Sequence, residues 1–293
     1  MSSWRLYAVH FVAVLGFASG TLFGQSAGSI PQGWYVYPNS ELMHAEITTF
    51  RCFNWSHNEW EVSAEGDDVR IAKRIRGKAD VPSLPPLLKV QPGMPGRTPS
   101  AGLVGAMQFA RGWLLAYDGD GLGGGLWLTN QDGSKTKRIL SKSVRAIVRL
   151  DDSGVLVLAG YVNMIPDDGY AYVFSNPDGL RIRLQHSDRL YGAPMAFTKR
   201  PDGSVLFITT HSLHEITESG PPKLDHRFPL WVATQYPNSV VTRPDGTIFI
   251  GMRMFALRLT PNLAGYVEDW LLPNSCRKFE LNEKEVDCVC KSW

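Results

Sequence analysis

The sequence has no surplus of charge of either sign, few cysteines and no apolar run long enough to cross a bilayer comfortably. Its 293 residues carry 30 Lys and Arg against 28 Asp and Glu, which leaves a net charge of +2. This balance provides no electrostatic attraction to nucleic acid or to an acidic membrane surface, so we expect neither as a partner. Hydrophobic residues make up 44% of the chain, which is typical of a folded protein with a substantial core.

The apolar run nearest the N-terminus is short, and small residues follow it. Leu6 to Phe17 is apolar apart from one histidine, and Ala18-Ser19-Gly20 or Ser26-Ala27 offers a cleavage site. A run of this length is typical of a secretory signal rather than of a membrane span. We therefore predict a signal peptide over residues 1–27, with an uncleaved anchor as the alternative. The mature protein is then periplasmic or extracellular and has no membrane span.

The four cysteines are few enough to be considered individually: Cys52, Cys276, Cys288 and Cys290. An even number of cysteines in an exported chain indicates disulfides. Cys288 and Cys290 share one face of a strand and are poorly placed to bond each other. We predict that one of them bonds Cys276 and the other bonds Cys52, with two or more free buried thiols as the alternative. No histidine lies near the last three cysteines in sequence, so a metal site is not indicated.

Several catalytic motifs are also missing. The Gly-x-Ser-x-Gly match in the chain, Gly24 to Gly28, overlaps the predicted signal peptide, so it does not indicate an elbow for a serine nucleophile in the mature protein. The glycine-rich stretch from Gly121 to Gly125 is followed by neither a lysine nor a helix, so it is not a phosphate loop. No acid pair on a single strand suits glycoside hydrolysis, although carboxylates from different strands could meet in space. The sequence therefore favours a protein that is not an enzyme, without deciding the question.

What the sequence does contain is a long internal repeat. Ala193 to Thr217 matches Tyr236 to Thr260 without a gap, displaced by 43 positions. Within it, Pro201-Asp202-Gly203 lies over Pro244-Asp245-Gly246. This tripeptide suits a tight turn, because proline presets φ and glycine accepts a positive φ.

The same repeat extends to a larger part of the chain. Glycines precede four strongly apolar segments at spacings of 42, 49 and 43 residues, namely Gly112, Gly154, Gly203 and Gly246. In each unit a moderately apolar strand, a continuously apolar strand, an alternating strand and a polar strand follow one another. A period of this length with four strands is typical of a β-propeller blade. We predict an all-β fold, a propeller of five blades, with six as the alternative.

The remaining segments complete this prediction. Residues 28–293 form a single propeller domain, and the proline-rich stretch 81–100 is an extended connection within it, because proline cannot donate to a sheet ladder. Segments 277–281 and 286–291 form a hairpin that we expect to complete the N-terminal unit. The ring is then closed by strands from both termini.

The repeated pattern Pro-Asp-Gly-(Thr/Ser)-(Ile/Val)-(Phe/Leu)-(Ile/Phe) resembles the propeller repeats of the NHL, two-component-regulator and gluconolactonase types. The resemblance covers roughly Gly102 to Leu272 and implies a blade architecture. Lactonase-type propellers hold calcium in the central channel with an acidic residue and asparagines. Asn238 matches such a position loosely, and no full ligand set accompanies it. The resemblance therefore assigns no catalytic residue.

The middle hairpins of the repeated units are predicted to carry function. They are longer in the first two units, at 118–125 and 162–169, and topologically equivalent loops emerge on one face of the disc. Asp118-Gly119-Asp120-Gly121 resembles the start of a calcium loop but has no acidic residue at the twelfth position; Asp167 and Asp168 could add ligands. The candidate binding residues on this face are Asp118, Asp120, Tyr161, Asp167, Asp168, His211, Asn238 and Arg253.

Two functions fit these patterns. The first is an exported, non-enzymatic and monomeric scaffold that recognises a protein or a glycan through its loop-rich face, including the special case of an inhibitor or immunity protein. The alternative is a metal-dependent hydrolase of the lactonase type that acts in the central channel. No cofactor is expected in the first case, and calcium is the alternative.

Overall fold

A computed structural model describes a large part of the chain. It covers residues 29–37, 56–75, 102–119, 124–150, 154–162, 167–175, 182–217, 220–228 and 235–276, together with the backbone of 278–282 and 287–291. The predicted signal peptide, the proline-rich connection, Asp120 and Cys52 lie outside the described residues. The predictions about them stay predictions.

The described residues form strands and contain no helix long and apolar enough to cross a membrane. In chain order the strands are β1 (Trp34–Tyr37), β2 (Trp60–Glu65), β3 (Asp68–Lys73), β4 (Leu103–Phe109), β5 (Gly112–Tyr117), β6 (Gly125–Asn130), β7 (Thr136–Leu140), β8 (Val144–Arg149), β9 (Gly154–Tyr161), β10 (Asp168–Ser175), β11 (Arg183–Leu190), β12 (Pro194–Lys199), β13 (Val205–Thr209), β14 (Ser212–Ile216), β15 (Lys223–Arg227), β16 (Ser239–Thr242), β17 (Ile248–Gly251), β18 (Ala256–Asn262), β19 (Gly265–Pro273), β20 (Lys278–Asn282) and β21 (Asp287–Lys291).

Four antiparallel sheets share one plan and correspond to the repeated units. In the first unit β4, β5, β6 and β7 pair in sequence order, and β8–β11, β12–β15 and β16–β19 repeat this order in the second, third and fourth units. The first strands β4, β8, β12 and β16 are neighbours in space. Four-stranded meanders set side by side through their first strands are the blades of a β-propeller. The predicted all-β propeller architecture is therefore confirmed.

The second strand of each unit is continuously apolar because both of its faces are covered. Val155 and Val157 of β9 pack in a cluster with residues of the first unit. Leu156 and Leu158, which point to the other side, pack in a cluster with residues of the third unit. Alternate side chains of β9 thus pack against the two neighbouring units. A polar residue at any of these positions would lose the free energy gained by burying an apolar side chain.

The glycines that mark the repeat all lie at the corner between the first and second strands of a unit. Gly203 and Gly246 occupy the turn itself, with φ of +87° and +83°. Gly112 and Gly154 instead begin the second strand. All four glycines therefore lie at the same connection of their units. Gly112 and Gly154 are the first residues of their strands, whereas Gly203 and Gly246 precede theirs by two residues.

A carboxylate closes two of these turns. The amide of Ser204 donates to Asp202 Oδ1 and the amide of Thr247 donates to Asp245 Oδ1, each at 2.9 Å. The hydroxyl and amide of Ser204 hold the pKa of Asp202 below its usual value. Because the chain after each proline is fixed in this way, the Pro-Asp-Gly tripeptide sets the register of the hairpin that follows.

Strands from both ends of the described chain share one sheet, as predicted, but not the expected strands. β1 lies on the outer edge of the fourth unit, where it pairs with β19 and Trp34 stands opposite Pro273. The hairpin β20–β21 is present, yet among the described strands it forms a sheet of its own. The expectation that this hairpin completes an N-terminal unit is therefore not what the described sheets show. β1 instead supplies Trp34 and Val36 to the apolar cluster around Leu271.

The hairpin β2–β3 lies against the opposite side of the fourth unit. The amide of Val62 donates to Ser239 Oγ at 2.8 Å, and Val62 and Val69 pack against Phe249. This is the place that the next blade takes after the fourth unit. Only two strands are described at this position, so the number of five blades stays a prediction.

Cys276 follows β19 and is completely buried. The side chains of Cys52, Cys288 and Cys290 lie outside the described part of the chain. The predicted pairing of the four cysteines therefore stays a prediction.

Candidate functional site on the loop face

The connections from the second to the third strand of each unit and the crossings between units lie on one side of the disc. In an antiparallel meander, the connection from the second to the third strand and the crossing to the next unit leave from the same end of the sheet. We call this side the loop face. Its described residues are 56–59, 118–119, 124, 141–143, 162, 167, 191–193, 210–211, 228, 235–238 and 252–255.

Seven of the eight predicted site residues are described, and all seven lie on the loop face or at a strand end that borders it. Tyr161 is the last residue of β9 and stands opposite Asp168, the first residue of β10. Asp120 lies outside the described residues. The others, Asp118, Asp167, His211, Asn238 and Arg253, lie in the connections themselves.

Asp118 follows β5 and joins the first unit to the second. Its Oδ2 lies 2.5 Å from Arg145 Nη1 of β8, and its Oδ1 accepts a hydrogen bond from Ser143 Oγ at 2.8 Å. Its amide donates to the carbonyl of Gly102 at 2.6 Å. Both carboxylate oxygens are thus engaged by groups of the second unit.

Asp167 joins the second unit to the third in a similar way. Its Oδ1 accepts from the amide of Ala193 at 2.9 Å, and its Oδ2 accepts from the Thr210 hydroxyl. His211 Nε2 lies 3.2 Å from the same Oδ2. The structure thus places Asp167 and His211 on the same face and in contact with each other.

Asp168 faces two cations. Lys142 Nζ lies 3.0 Å from its Oδ2, and Arg189 Nε lies 3.8 Å from its Oδ1. The Lys142 ammonium also lies 4.0 Å from the centre of the Tyr170 ring. Burial opposes the charge of Lys142, but the Asp168 carboxylate outweighs it and raises the pKa of the ammonium.

These pairings bear on the predicted calcium site. Arg145 and Lys142 supply positive charge at the carboxylates that calcium would bind. Within the described residues, no three His, Cys, Asp or Glu side chains come close enough to hold a metal ion. Asp120 lies outside them, so calcium binding stays a prediction.

Arg253 lies between the fourth unit and the residues that lead into β2. Its guanidinium nitrogen Nη2 donates to Glu59 Oε1 at 3.1 Å, and Arg74 Nη1 lies 3.5 Å from Glu59 Oε2. Its guanidinium lies 3.9 Å from the centre of the Tyr236 ring. Glu59 is only 5% exposed, so this carboxylate depends on the two arginines for compensation.

Backbone strain surrounds Arg253. Tyr236 and Met254 adopt φ of +49° and +68°, in the left-handed region that residues other than glycine seldom occupy. The amide of Arg253 donates to the carbonyl of Gln235 at 2.6 Å, and Trp60 Nε1 donates to the carbonyl of Met254 at 3.1 Å. Such strain persists where the surroundings enforce it, and it is concentrated at functional sites.

Tyr191 is a residue of this face that sequence reasoning missed. Its ring lies 4.9 Å from the His211 ring, and the Arg227 guanidinium lies 5.1 Å from its centre. Its carbonyl accepts from Thr209 Oγ1 at 2.6 Å and from Ser212 Oγ at 3.1 Å, which fixes the backbone. Tyr191 is nevertheless 52% exposed.

A small cavity of about 100 Å³ lies between the first strands of the second and third units. Asn238 borders it, but the Asn238 amide is already engaged, donating to the carbonyl of Trp60 at 3.0 Å and accepting from Ser239 Oγ at 2.9 Å. Sites for small molecules usually measure 300 Å³ or more, so this cavity alone suits a few waters. Its lining comprises Arg145, Ala146, Leu158, Pro194, Met195, Ala196, Phe197 and Asn238.

No protein-family model matches the sequence, and no curated protein matches it significantly. Among solved structures, the chain is similar to a candidate 6-phosphogluconolactonase from Bacteroides uniformis, with 13% identity, a TM-score of 0.40 and coverage of 62% of this chain and 61% of that one. It is also similar to a gluconolactonase from Xanthomonas campestris, with 9% identity, a TM-score of 0.34 and coverage of 59% and 63%.

A third similar structure is virginiamycin B lyase from Staphylococcus aureus, with 16% identity, a TM-score of 0.28 and coverage of 57% of this chain and 69% of that one. The aligned part spans less than two thirds of each of the two lactonase chains. At this level the similarities assign neither an activity nor a ligand to this chain. The propeller architecture stands on the pairing of its own strands.

Proposed function

We propose that this protein is an exported, non-enzymatic binding scaffold that recognises a protein or a glycan through its loop face. The observation that carries the proposal is the occurrence of two exposed tyrosines, Tyr191 and Tyr236, each beside an arginine, on that one face. Aromatic and arginine side chains supply most of the binding energy at recognition surfaces. The predicted site residues His211 and Arg253 each contact one of these tyrosines.

The described part of the loop face is also held together by polar contacts, which supports recognition through a preformed surface. Its loops are tied from unit to unit by buried or half-buried polar contacts. A surface that is already ordered loses less conformational entropy when a partner binds. The contacts are Asp118 with Arg145, Asp167 with Thr210 and Glu59 with Arg253.

Export and a periplasmic or extracellular location belong to this proposal, and they depend on the predicted signal peptide at 1–27. An inhibitor or immunity protein that blocks a toxin or a hydrolase is a special case of the same function. It would use the same face to cover the active site of its target, and it would act as a monomer.

A lactonase-type hydrolase remains the alternative, since Arg145 and Asn238 border a cavity between the first strands. It requires a metal with an open coordination position. The two functions differ in an assay of lactone hydrolysis with calcium and with EDTA. Turnover that EDTA abolishes would favour the hydrolase and contradict a plain scaffold.

The binding proposal is tested with substitutions on opposite faces of the molecule. Tyr191→Ala with Tyr236→Ala changes the loop face, whereas Leu263→Ala changes a fully exposed residue in the turn between β18 and β19, on the other side. Proteins and polysaccharides of the culture fluid are passed over each immobilised, folded protein. We expect bound material to be lost with the double variant and kept with Leu263→Ala. Equal retention by both would contradict the proposal.

A further inference from the structure

We infer that Tyr191 and Tyr236 are two stacking subsites for one acidic polysaccharide chain that runs across the loop face from the third unit to the fourth. This inference rests on the proposed binding function and names its ligand class. It assigns a role to Tyr191, Tyr236 and Arg227, none of which belongs to the residues predicted from the sequence.

The two tyrosines occupy corresponding places in the fold. Each lies in the crossing from the outer strand of one unit to the first strand of the next, Tyr191 before β12 and Tyr236 before β16. β12 and β16 are neighbours, so the two rings stand one unit apart on the same face. The His211 ring contacts Tyr191, and the His211 carbonyl accepts from the amide of Phe228 at the end of β15 at 2.9 Å.

Each ring is held by a guanidinium and still presents surface to solvent. Arg253 lies 3.9 Å from the centre of the Tyr236 ring, and Arg227 lies 5.1 Å from that of Tyr191. Tyr236 and Tyr191 are nevertheless 40% and 52% exposed. The positive φ of Tyr236 fixes the direction in which its side chain leaves the backbone. A ring that is fixed before binding loses little entropy when a flat ligand stacks on it.

The surroundings of the rings favour a sugar polymer over a protein. The side chains shown against the two rings are polar, namely His211 and Arg227 at Tyr191 and Arg253 at Tyr236. The buried centre of a protein interface is more apolar and continuous. Sugar rings combine apolar C–H faces, which pack on an aromatic ring, with hydroxyls that require polar neighbours. Separate subsites at a fixed spacing suit a repeating chain.

The charges favour an acidic polymer. The carboxylates of Glu59, Asp118 and Asp168 each lie beside a cation of the protein, and that of Asp167 accepts hydrogen bonds from the Ala193 amide and the Thr210 hydroxyl. Arg227, beside the exposed ring of Tyr191, pairs with no carboxylate of the described residues. A uronate carboxylate on the ligand would provide the missing partner, and guanidinium–carboxylate pairs are among the stronger charged contacts.

Affinity electrophoresis of the whole protein tests the inference. Native gels contain polygalacturonate or alginate as acidic probes, or hydroxyethyl cellulose as a neutral one. We expect retardation in an acidic gel, weakened roughly threefold to tenfold by Tyr191→Ala or Tyr236→Ala as one stacking contact is lost. The Tyr→Phe variants, which keep the ring, should be retarded as the unchanged protein is. Circular dichroism and thermal unfolding verify that each variant is folded.

A matched pair of arginine variants tests the charge. Arg227→Gln and Arg111→Gln remove the same charge, but Arg111 lies in the turn between β4 and β5 on the opposite face. We expect only Arg227→Gln to weaken retardation. Equal effects of both, or equal retardation in the neutral gel, would overturn the acidic assignment.

The outcomes also separate this inference from the proposed function. If no acidic gel retards the protein but a protein partner is lost with Tyr191→Ala and Tyr236→Ala, the polysaccharide inference fails and the loop-face function stands. If neither a polysaccharide nor a protein responds to these variants, both fail.

Discussion

The ammonium of Lys199 donates to the main-chain carbonyl of Arg149 at 2.9 Å, from the first strand of the third unit to that of the second. Arg149 repeats this contact, because its guanidinium donates to the carbonyl of Gln108 in the first unit at 3.1 Å. Lys199 and Arg149 stand at equivalent register positions, opposite Val205 and Val155. The first strands are therefore tied in series near the face opposite the loop face.

Lys199→Met should lower the free energy of unfolding by about 1 kcal/mol, since a hydrogen bond between units is lost and the apolar stem is kept. Urea unfolding measures the change. Lys137→Met on the exposed outer strand β7 is the control and should stay within about 0.5 kcal/mol of the unchanged protein. Equal effects of the two would show that the contact contributes nothing specific.

Glu59→Gln should be more destabilising, by about 3 kcal/mol, because it removes the buried negative charge that the guanidinium groups of Arg253 and Arg74 face. Glu61→Gln, on an exposed carboxylate two residues further on in β2, is the matched control. The double variant Glu59→Gln with Arg253→Met should lose less stability than the sum of its single changes. Strict additivity in urea unfolding would contradict the pairing.

Gly192→Ala tests the close approach of two loops. Gly192 has φ of +93°, and a Cβ there would overlap Thr210 Oγ1 and crowd the His211 ring. Gly33→Ala introduces the same strain in the backbone, at φ of +87°, but its Cβ meets no atom within 4 Å. We expect Gly33→Ala to cost about 1 kcal/mol and Gly192→Ala clearly more. Equal losses of thermal stability would show that the loops yield without cost.

Stability should depend on pH through His214. It is 5% exposed, its ring centre lies 5.2 Å from that of Phe207, and burial lowers its pKa from 6.5 to about 4. Because the unfolded chain binds the proton more readily, stability falls as pH drops from about 6.5 towards 4, by up to about 3 kcal/mol. Below that range the depressed pKa values of Asp202 and Asp245 add a further loss.

His214→Gln should flatten the dependence between pH 6.5 and 4 in urea unfolding measured along a pH series. Comparison of the two proteins at pH 7.5, where His214 is neutral in both the folded and the unfolded state, separates the lost packing from the lost titration. An unchanged slope in the variant would assign the dependence to other groups.

The fold could be predicted where its cause is local. Pro201-Asp202-Gly203 forms a tight turn through its own backbone preferences, and the apolar run Val155–Ala159 is buried on both faces of one strand. The pairing of β1 with β19 had no such signal. Trp34 and Pro273 are far apart in sequence, and four residues of an edge strand carry too little pattern to specify a partner.

The sequence predicted which face of the fold carries the candidate site residues, but not which residues contact each other there. Topology alone placed His211 and Arg253 on the loop face. Their tyrosine neighbours could not be read from the repeat, because Ala193 stands where Tyr236 lies in the aligned copy, while Tyr191 precedes the aligned segment. Glu59 is buried only because Arg253 comes from the other end of the chain, and no local pattern reports such a pairing.

The edge position of β1 has a consequence for how the protein is made. The Tyr35 hydroxyl donates to the carbonyl of Cys276, 241 residues further along the chain. The units between them can form one after another as they emerge, but this last sheet must wait for nearly the entire polypeptide. Until then an aromatic strand has no partner, and such a strand can join a neighbouring nascent molecule instead of its own. Crowded synthesis should therefore favour exchanged first strands over loss of the individual units.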